Sequence, residues 1–320
     1  MGSCISKLPS SNDLEEEIEE PMIARALRFP SPQIKDGHLV PATILRSNGT
    51  IRRNQQVIVP AKAHHQSPSH AYWLLRRHRK SSYGSVWQAL LVTQEKVTVQ
   101  IKNEHWTATN ISCAVKEYSK EALETRNLIE DPSQEIASMQ HLLHVLVGEI
   151  TEREESIIQK AERIRTLTLK CNVLLPLDVI QEKRDGRESC LYLITPFLGG
   201  GTVMERMQDI PEIQAGFSKE ETRQLMMKIT NGMKNLHEAR ICHFDLNLKN
   251  ILLSDEANGM IPILYGLGKC FRISYERTGQ RRHIRWKSYN GLEVSINMAF
   301  PSLFSCCTQG TLASYPSFLT

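Results

Sequence analysis

Aromatic residues are scarce in this sequence, 6% of 320 positions against a hydrophobic content of 41%, so aliphatic side chains must supply most of any core. No apolar stretch is long enough to cross a bilayer as a helix. The first residues also lack the apolar run of a secretory signal. Neither sign of charge dominates: 39 Lys and Arg face 35 Asp and Glu, and the formal charge of +4 is too mild to point to nucleic acid. The eight cysteines (Cys4, Cys113, Cys171, Cys190, Cys242, Cys270, Cys306, Cys307) show no metal-ligand spacing. Reduced thiols in a cytosolic compartment are therefore expected. After Glu293 charge is missing altogether.

What is present begins at the N-terminus. Met1-Gly2-Ser3-Cys4-Ile5-Ser6 fits the pattern for N-myristoylation of Gly2 once Met1 is removed. One acyl chain anchors only marginally, and Cys4 would supply a second as a palmitoyl thioester. The alternative is an unmodified, disordered terminus. The acidic run Glu15-Glu16-Glu17 and Glu19-Glu20 would be repelled by anionic headgroups. Residues 1 to about 70 read as a tail, because polar residues dominate and Pro30, Pro32, Pro41 and Pro60 interrupt any helical or strand pattern.

From Ala71 the character changes. Ala71–Leu75 and Val86–Val92 are rich in strand formers and flank a polar turn around Gly84. Asp131, Pro132 and Gln134 form a helix start, after which Ile136, Met139, Leu143 and Leu146 recur at helical spacing. Residues 149–170 are charged and helix-prone, show no clear apolar face, and read as an exposed insertion. Short strands follow around Val173–Leu175 and Leu191–Ile194. Ser218 and Glu221 make a second capping box, opening a helix striped by Leu225, Met226, Ile229, Met233 and Leu236. Strands first and helices later indicate an α+β protein.

Three further pieces carry chemistry. His243-Phe244-Asp245-Leu246-Asn247-Leu248-Lys249-Asn250 sets a carboxylate and an amide five residues apart, ahead of the apolar Ile251-Leu252-Leu253. Cys113-Ala114-Val115-Lys116 ends a strand in a cation, with Glu135 on the helix that follows. Thr195-Pro196-Phe197-Leu198 runs into Gly199-Gly200-Gly201. In this order the pieces resemble the signature set of the eukaryotic protein kinases, from about Tyr72 to about Arg272.

The resemblance implies a bilobal fold, with a small β-rich N-lobe at residues 71–195 and a partial helical C-lobe at 199–280. It implies ATP and Mg2+ as cofactors and protein Ser/Thr hydroxyls as acceptors. Asp245 would then orient the substrate hydroxyl and Asn250 would hold a magnesium ion. Lys116, steered by Glu135, would contact the α- and β-phosphates. Thr195 would be the gatekeeper, Pro196 and Leu198 would offer main-chain groups to adenine, and Val86, Ala114 and Leu252 would sandwich the base.

Departures from the pattern are equally specific. Of the phosphate-covering glycines only Gly84 remains, with Arg79 and Ser81 in place of the first two; Arg79 and Lys80 either offset this by charge or form a solvated basic turn. Asn247 stands where the family has a lysine, and Lys249 is the nearest substitute. Phe244 replaces the arginine that answers a phosphorylated activation segment. Aligned by Gly266, Leu264 takes the place of the metal-binding aspartate, which leaves no oxygen ligand there, and Tyr265 would pack between Met139 and His243. Only a short stretch follows, without an A-P-E motif, and residues 281–320 read as a non-kinase-like tail of a truncated or mis-spliced product. Three readings stay open: an impaired protein kinase, a membrane-tethered pseudokinase that scaffolds around a nucleotide, and a non-functional fragment.

Overall fold

The computed structural model describes residues 22–61, 69–81, 83–94, 105–120, 132–148, 155–184, 187–209, 217–254, 259–277, 286–287 and 293–294. Gly2, Cys4 and the acidic run lie outside the described residues, as do the expected N-cap Asp131 and nearly all of the tail 281–320.

Seven strands close into a barrel. They are β2 (Lys35–Leu45), β3 (Ile51–Pro60), β4 (His70–Ser81), β5 (Gly84–Thr93), β6 (His105–Ser119), β7 (Asp178–Arg184) and β8 (Arg187–Pro196), arranged in the order β2-β3-β4-β5-β6-β8-β7. Neighbours from β2 through to β7 are antiparallel, and β2 closes the ring by pairing parallel with β7, Lys35 opposite Ile180. The far end of β2 also pairs parallel with β6, Ile44 opposite Trp106.

This overturns the expected tail at residues 35–60. Pro41 sits inside β2, opposite Gln56, and Pro60 ends β3. Proline removes one N–H donor, which an irregular or terminal strand position tolerates. What the proline count concealed was a buried side to these strands: Ile44, Val57 and Ile58 are fully buried. Ile44 and Val57 join Ala71, Trp73, Val92 and Trp106 in a second core cluster at one end of the barrel. Closure also demands a residue without a side chain, because a Cβ on Gly37 would lie 2.3 Å from Ile180 Cγ2 and 2.7 Å from Val59 O.

One buried charge ties β2 into the barrel. Asp178, 3% exposed, accepts from Lys35 Nζ at 2.9 Å and from Tyr72 Oη at 3.3 Å, with His70 Nε2 at 3.5 Å. Burial alone would raise this carboxyl, but the His70 hydrogen bond and the Lys35 ammonium outweigh it and hold it at about 2, below its ordinary 3.8. A depressed folded-state value contributes stability that is complete above the unfolded value and is lost as pH falls toward the folded one. Through this carboxylate the protein is expected to lose about 2 kcal/mol as pH falls from above about 4 to about 2. Urea denaturation across that window checks it, and Asp178→Asn should flatten the acid limb.

Among the described residues four helices accompany the barrel: α1 (Pro132–Val147), α2 (Ile157–Cys171), α3 (Val203–Asp209) and α4 (Lys219–Glu238). The expected stripes are present. Ile136 and Met139 are buried in α1, Ile229 and Leu236 in α4, and Leu143, Leu146, Leu225, Met226 and Met233 pack against the same core. The capping box of α4 forms as its residues dictate: Ser218 Oγ accepts from Glu221 N at 3.3 Å, and the Glu221 carboxylate accepts from Ser218 N at 2.9 Å.

α2 corrects the exposed-insertion expectation for residues 149–170. Ser156 and Gln159 form a capping box, and Ala161, Ile164, Thr168 and Cys171 bury one side of the helix. That face alternates small, aliphatic and hydroxyl residues, so the charges on the opposite face masked its periodicity. Among the described residues no helix is long and apolar enough to cross a membrane.

Short strands complete the frame. β9 (Ile241–Cys242) precedes the His243–Asn250 loop, and β10 (Ile251–Leu253) pairs with β11 (Pro262–Leu264). β12 (Phe271–Arg277) lies between β9 and β1 (Met22–Leu27) in a three-stranded sheet.

Candidate nucleotide and phosphoryl-transfer site

The barrel presents its lysine as the sequence pattern requires. β6 runs between β5 and β8, with Val86 opposite Lys116 and Ala114 opposite Thr195. Ala114 and Lys116, two residues apart on one strand, share a face. Lys116 Nζ donates to Glu135 Oε2 at 2.7 Å, and Tyr118 Oη donates to the same oxygen at 2.6 Å. Glu135 lies in the first turn of α1, where unsatisfied N–H groups favour a carboxylate. The ion pair is partly screened from water, with side-chain exposures of 24% for Lys116 and 7% for Glu135.

The chain leaves the barrel at Thr195-Pro196-Phe197-Leu198, where Thr195 and Leu198 are buried. Phe197 N donates to Ser112 O at 3.2 Å. From α2, Arg165 Nη1 donates to Phe197 O at 3.0 Å, a tie the sequence gave no reason to expect. Leu252, half-buried in β10, pairs with Ile263 and bridges to Thr202. Gly84 is held tightly within the barrel, since a Cβ there would lie 2.3 Å from Glu117 O.

The His243–Asn250 loop folds around Asp245. Its carboxylate accepts from Asn250 Nδ2 at 3.1 Å and from Asn247 Nδ2 at 3.4 Å, and its carbonyl accepts from Asn250 Nδ2 at 2.7 Å. His243, 2% exposed, donates through Nε2 to Tyr265 O at 3.1 Å while Nδ1 accepts from Asp245 N at 3.3 Å. Burial pushes this imidazole down, so it is neutral with its proton on Nε2. Phe244 carries a φ of +54°, a conformation costly for a bulky residue, and sets its ring edge-on to Phe271 at 5.5 Å.

Contacts link the element that steers Lys116 to the turn that reaches Asp245. The turn Leu267–Lys269 packs against α1, and Gln134, next to Glu135, donates to Cys270 O. Burial, then the charges of Glu135, Cys242 and Asp245, push the Cys270 thiol well above its ordinary value.

The metal position differs from the sequence alignment. Leu264 stays in β11, opposite Ile251, with its side chain 0% exposed. It is pressed against α4, where a Cβ on Gly232 would lie 2.9 Å from Leu264 Cδ1. The residue facing Asn250 is Gly266: its φ is +79°, and a Cβ there would lie 3.0 Å from Asn250 Oδ1. Leu267, 1% exposed, is the side chain buried at the turn against α1. Tyr265 instead donates its hydroxyl to Lys249 O at 2.7 Å, so it is not the buried aromatic that was expected between Met139 and His243. The motif's place is therefore held by Gly266-Leu267-Gly268, two residues later. The sequence did contain that signal, a second glycine two positions on, but gave no way to choose between the two.

Cations near Asp245 also differ from expectation. Lys249 is exposed, whereas Lys269 Nζ bonds Asp245 Oδ2 at 3.0 Å. Arg79 is not a free basic turn: Nη1 pairs with Glu205 of α3 at 3.3 Å and Nη2 donates to Tyr265 Oη at 3.4 Å. These donors do not suit Mg2+. Asn250 offers one neutral side-chain oxygen, Gly266 offers no side-chain oxygen, and Lys269 already places a positive charge on Asp245. Among the described residues no group of three or more His, Cys, Asp or Glu side chains converges on a metal position.

Comparison with known proteins points to one family. The chain is similar to serine/threonine-protein kinase 16 of Mus musculus, 24% identical over 164 residues, which are 51% of this chain and 52% of that protein. It is similar to the human hormonally up-regulated neu tumor-associated kinase, 25% identical over 150 residues, 43% of this chain and 20% of that protein. With serine/threonine-protein kinase Nek5 of Mus musculus it shares 29% identity over 126 residues, 39% of this chain and 19% of that protein. The chain thus spans about half the length of the first of these relatives and about a fifth of the other two. The family model for the protein kinase domain matches residues 98–280, more than half of the sequence, and the chain belongs to the protein kinase family.

Proposed function

We propose that this chain binds ATP between a β-rich lobe and a helical lobe, and that transfer of the γ-phosphoryl group to protein Ser/Thr hydroxyls is impaired. On this reading it serves as a nucleotide-binding scaffold. The observation that carries it is a contrast within one site. Lys116 and Glu135 are paired at 2.7 Å as phosphate binding needs, while the position facing Asn250 is a glycine. Val86, Ala114, Thr195, Pro196, Leu198 and Leu252 would enclose the adenine. Lys269 and Arg79 would supply the positive charge that the metal supplies in a working kinase. Residual catalysis through Asp245 is the second reading, favoured by its intact hydrogen bonds to Asn247 and Asn250.

Thermal denaturation of the purified chain with ATP, with and without magnesium, separates the two. Stabilisation by ATP that is indifferent to magnesium is expected, and magnesium-dependent stabilisation would support a surviving metal site. Lys116→Met should remove at least 90% of the ATP-induced shift, because it deletes the phosphate contact while leaving the strand intact. No difference between Lys116→Met and the parent chain would place the nucleotide elsewhere or nowhere. Attachment to membranes through acylated Gly2 and Cys4 belongs to the same proposal, and intact-mass measurement of the protein expressed in eukaryotic cells tests it.

A further inference from the structure

Residues 22–35 precede the span matched by the kinase model and touch three parts of the site's framework. β1 adds antiparallel to β12 over six residues, from Met22 opposite Arg277 to Leu27 opposite Arg272. β12 pairs on its other side with β9, immediately before the loop that carries Asp245. Phe29 then sets its ring edge-on to His141 of α1, with centroids 5.7 Å apart. Gln33 and Gln140 of α1 bond reciprocally: Gln33 N donates to Gln140 Oε1 at 2.8 Å, and Gln140 Nε2 donates to Gln33 O at 2.8 Å. The run ends at Lys35, held by the buried Asp178 of β7.

We propose that this segment is a strap in cis that positions α1, so that Phe29 and Gln33 hold Glu135 against Lys116. α1 reaches the barrel through Glu135, while on the next turns Gln140 and His141 meet the strap. A helix gripped at both places cannot swing its carboxylate away without breaking one set of contacts. The strap simultaneously orders β12, whose first residue Phe271 is already clamped by Phe244. Phe29 and Gln140 are positioning residues; neither touches a nucleotide in this assignment.

The test uses the full chain and needs no nucleotide, so it can be read even if ATP does not bind. The rate at which an amine-reactive ester labels Lys116 is measured by mass spectrometry, with the part-exposed Lys228 of α4 as internal reference. Phe29→Ala/Gln140→Ala loosens the grip on α1. Ala24→Pro/Arg25→Pro removes adjacent N–H donors, one of which faces β12 whichever way the strand is phased. Each variant should raise Lys116 labelling relative to Lys228 by about fivefold, the ratio that about 1 kcal/mol of lost positioning corresponds to. Phe29→Tyr, which keeps the ring edge, should stay at the parent rate. Unchanged labelling of Lys116 in both variants would overturn the proposal. So would a rise shared equally by Lys228, which marks general loosening instead of positioning.

Discussion

Gly266→Asp is expected to make ATP binding magnesium-dependent and to raise phosphoryl transfer to a generic Ser/Thr peptide mixture by about a hundredfold or more. The size follows from the metal, whose neutralisation of developing charge is worth several kcal/mol, with about 1.36 kcal/mol to each tenfold in rate. The geometry is permissive. Gly266 has a φ of +79°, and aspartate is among the few side chains that visit that region. Its Cβ would lie 3.0 Å from Asn250 Cγ and Oδ1, so the amide must yield by a few tenths of an ångström, and the carboxylate would project beside the amide oxygen. Strain of about 1 kcal/mol is the expected cost. A folded variant that ATP stabilises equally with and without magnesium would show that this position does not face the phosphates.

The alignment by sequence points to a different repair, and the structure expects that repair to fail. Leu264→Asp would bury a carboxylate at a site 0% exposed, between α4 and the Asn172 main chain, whose carbonyl already accepts from Leu264 N at 2.9 Å. A buried ionisable group without a partner is costly, about 3–5 kcal/mol once relaxation is allowed. For a domain of this size that corresponds to a fall of about 10 °C in Tm, with no gain in transfer. Leu264→Met, which conserves volume, should shift Tm by no more than a few degrees. If Leu264→Asp melts with the parent chain, the β10–β11 register is wrong, and with it the assignment of Gly266.

Much of the site was legible because its chemistry depends on short spacings. Asp245 and Asn250 lie on one loop, and five residues suffice to bring Asn250 Nδ2 within 3.1 Å of the carboxylate. Lys116 and Glu135 were equally readable, although Lys116 proves to lie inside β6, which runs on to Ser119, with Glu135 in the first helical turn. Lys269 was not, because its contact with Asp245 depends on the path of the turn after Gly266, and sequence distance says nothing about that path. The two-residue error at Leu264 has the same origin. A short strand and the turn after it are apolar alike, and only the hydrogen bond from Tyr265 N to Asn250 O fixes where one ends.

The fold was hidden where long-range pairing overrode local composition. Residues 35–60 carry prolines and polar side chains, and the start of β2 is paired with a strand more than a hundred positions away, Lys35 opposite Ile180. The buried face of α2, not the helix itself, escaped notice, because Ala161 and Thr168 are weak markers of such a face, although Ile164 and Cys171 complete it. Local propensity could place the helices with capping boxes, but it could not announce a barrel whose closure is settled by a single glycine against Ile180.

That closure has a consequence during synthesis on the ribosome. The first barrel strand made must wait, unpaired along one edge, until the segment containing Ile180 has emerged, and loops of that span make such contacts slow to form. In the first part of that interval, until Trp106 emerges, Ile44 and Val57 lack a residue of the cluster that later buries them. Yield from cells should therefore respond more to translation speed and chaperone supply than the stability of the finished molecule would suggest.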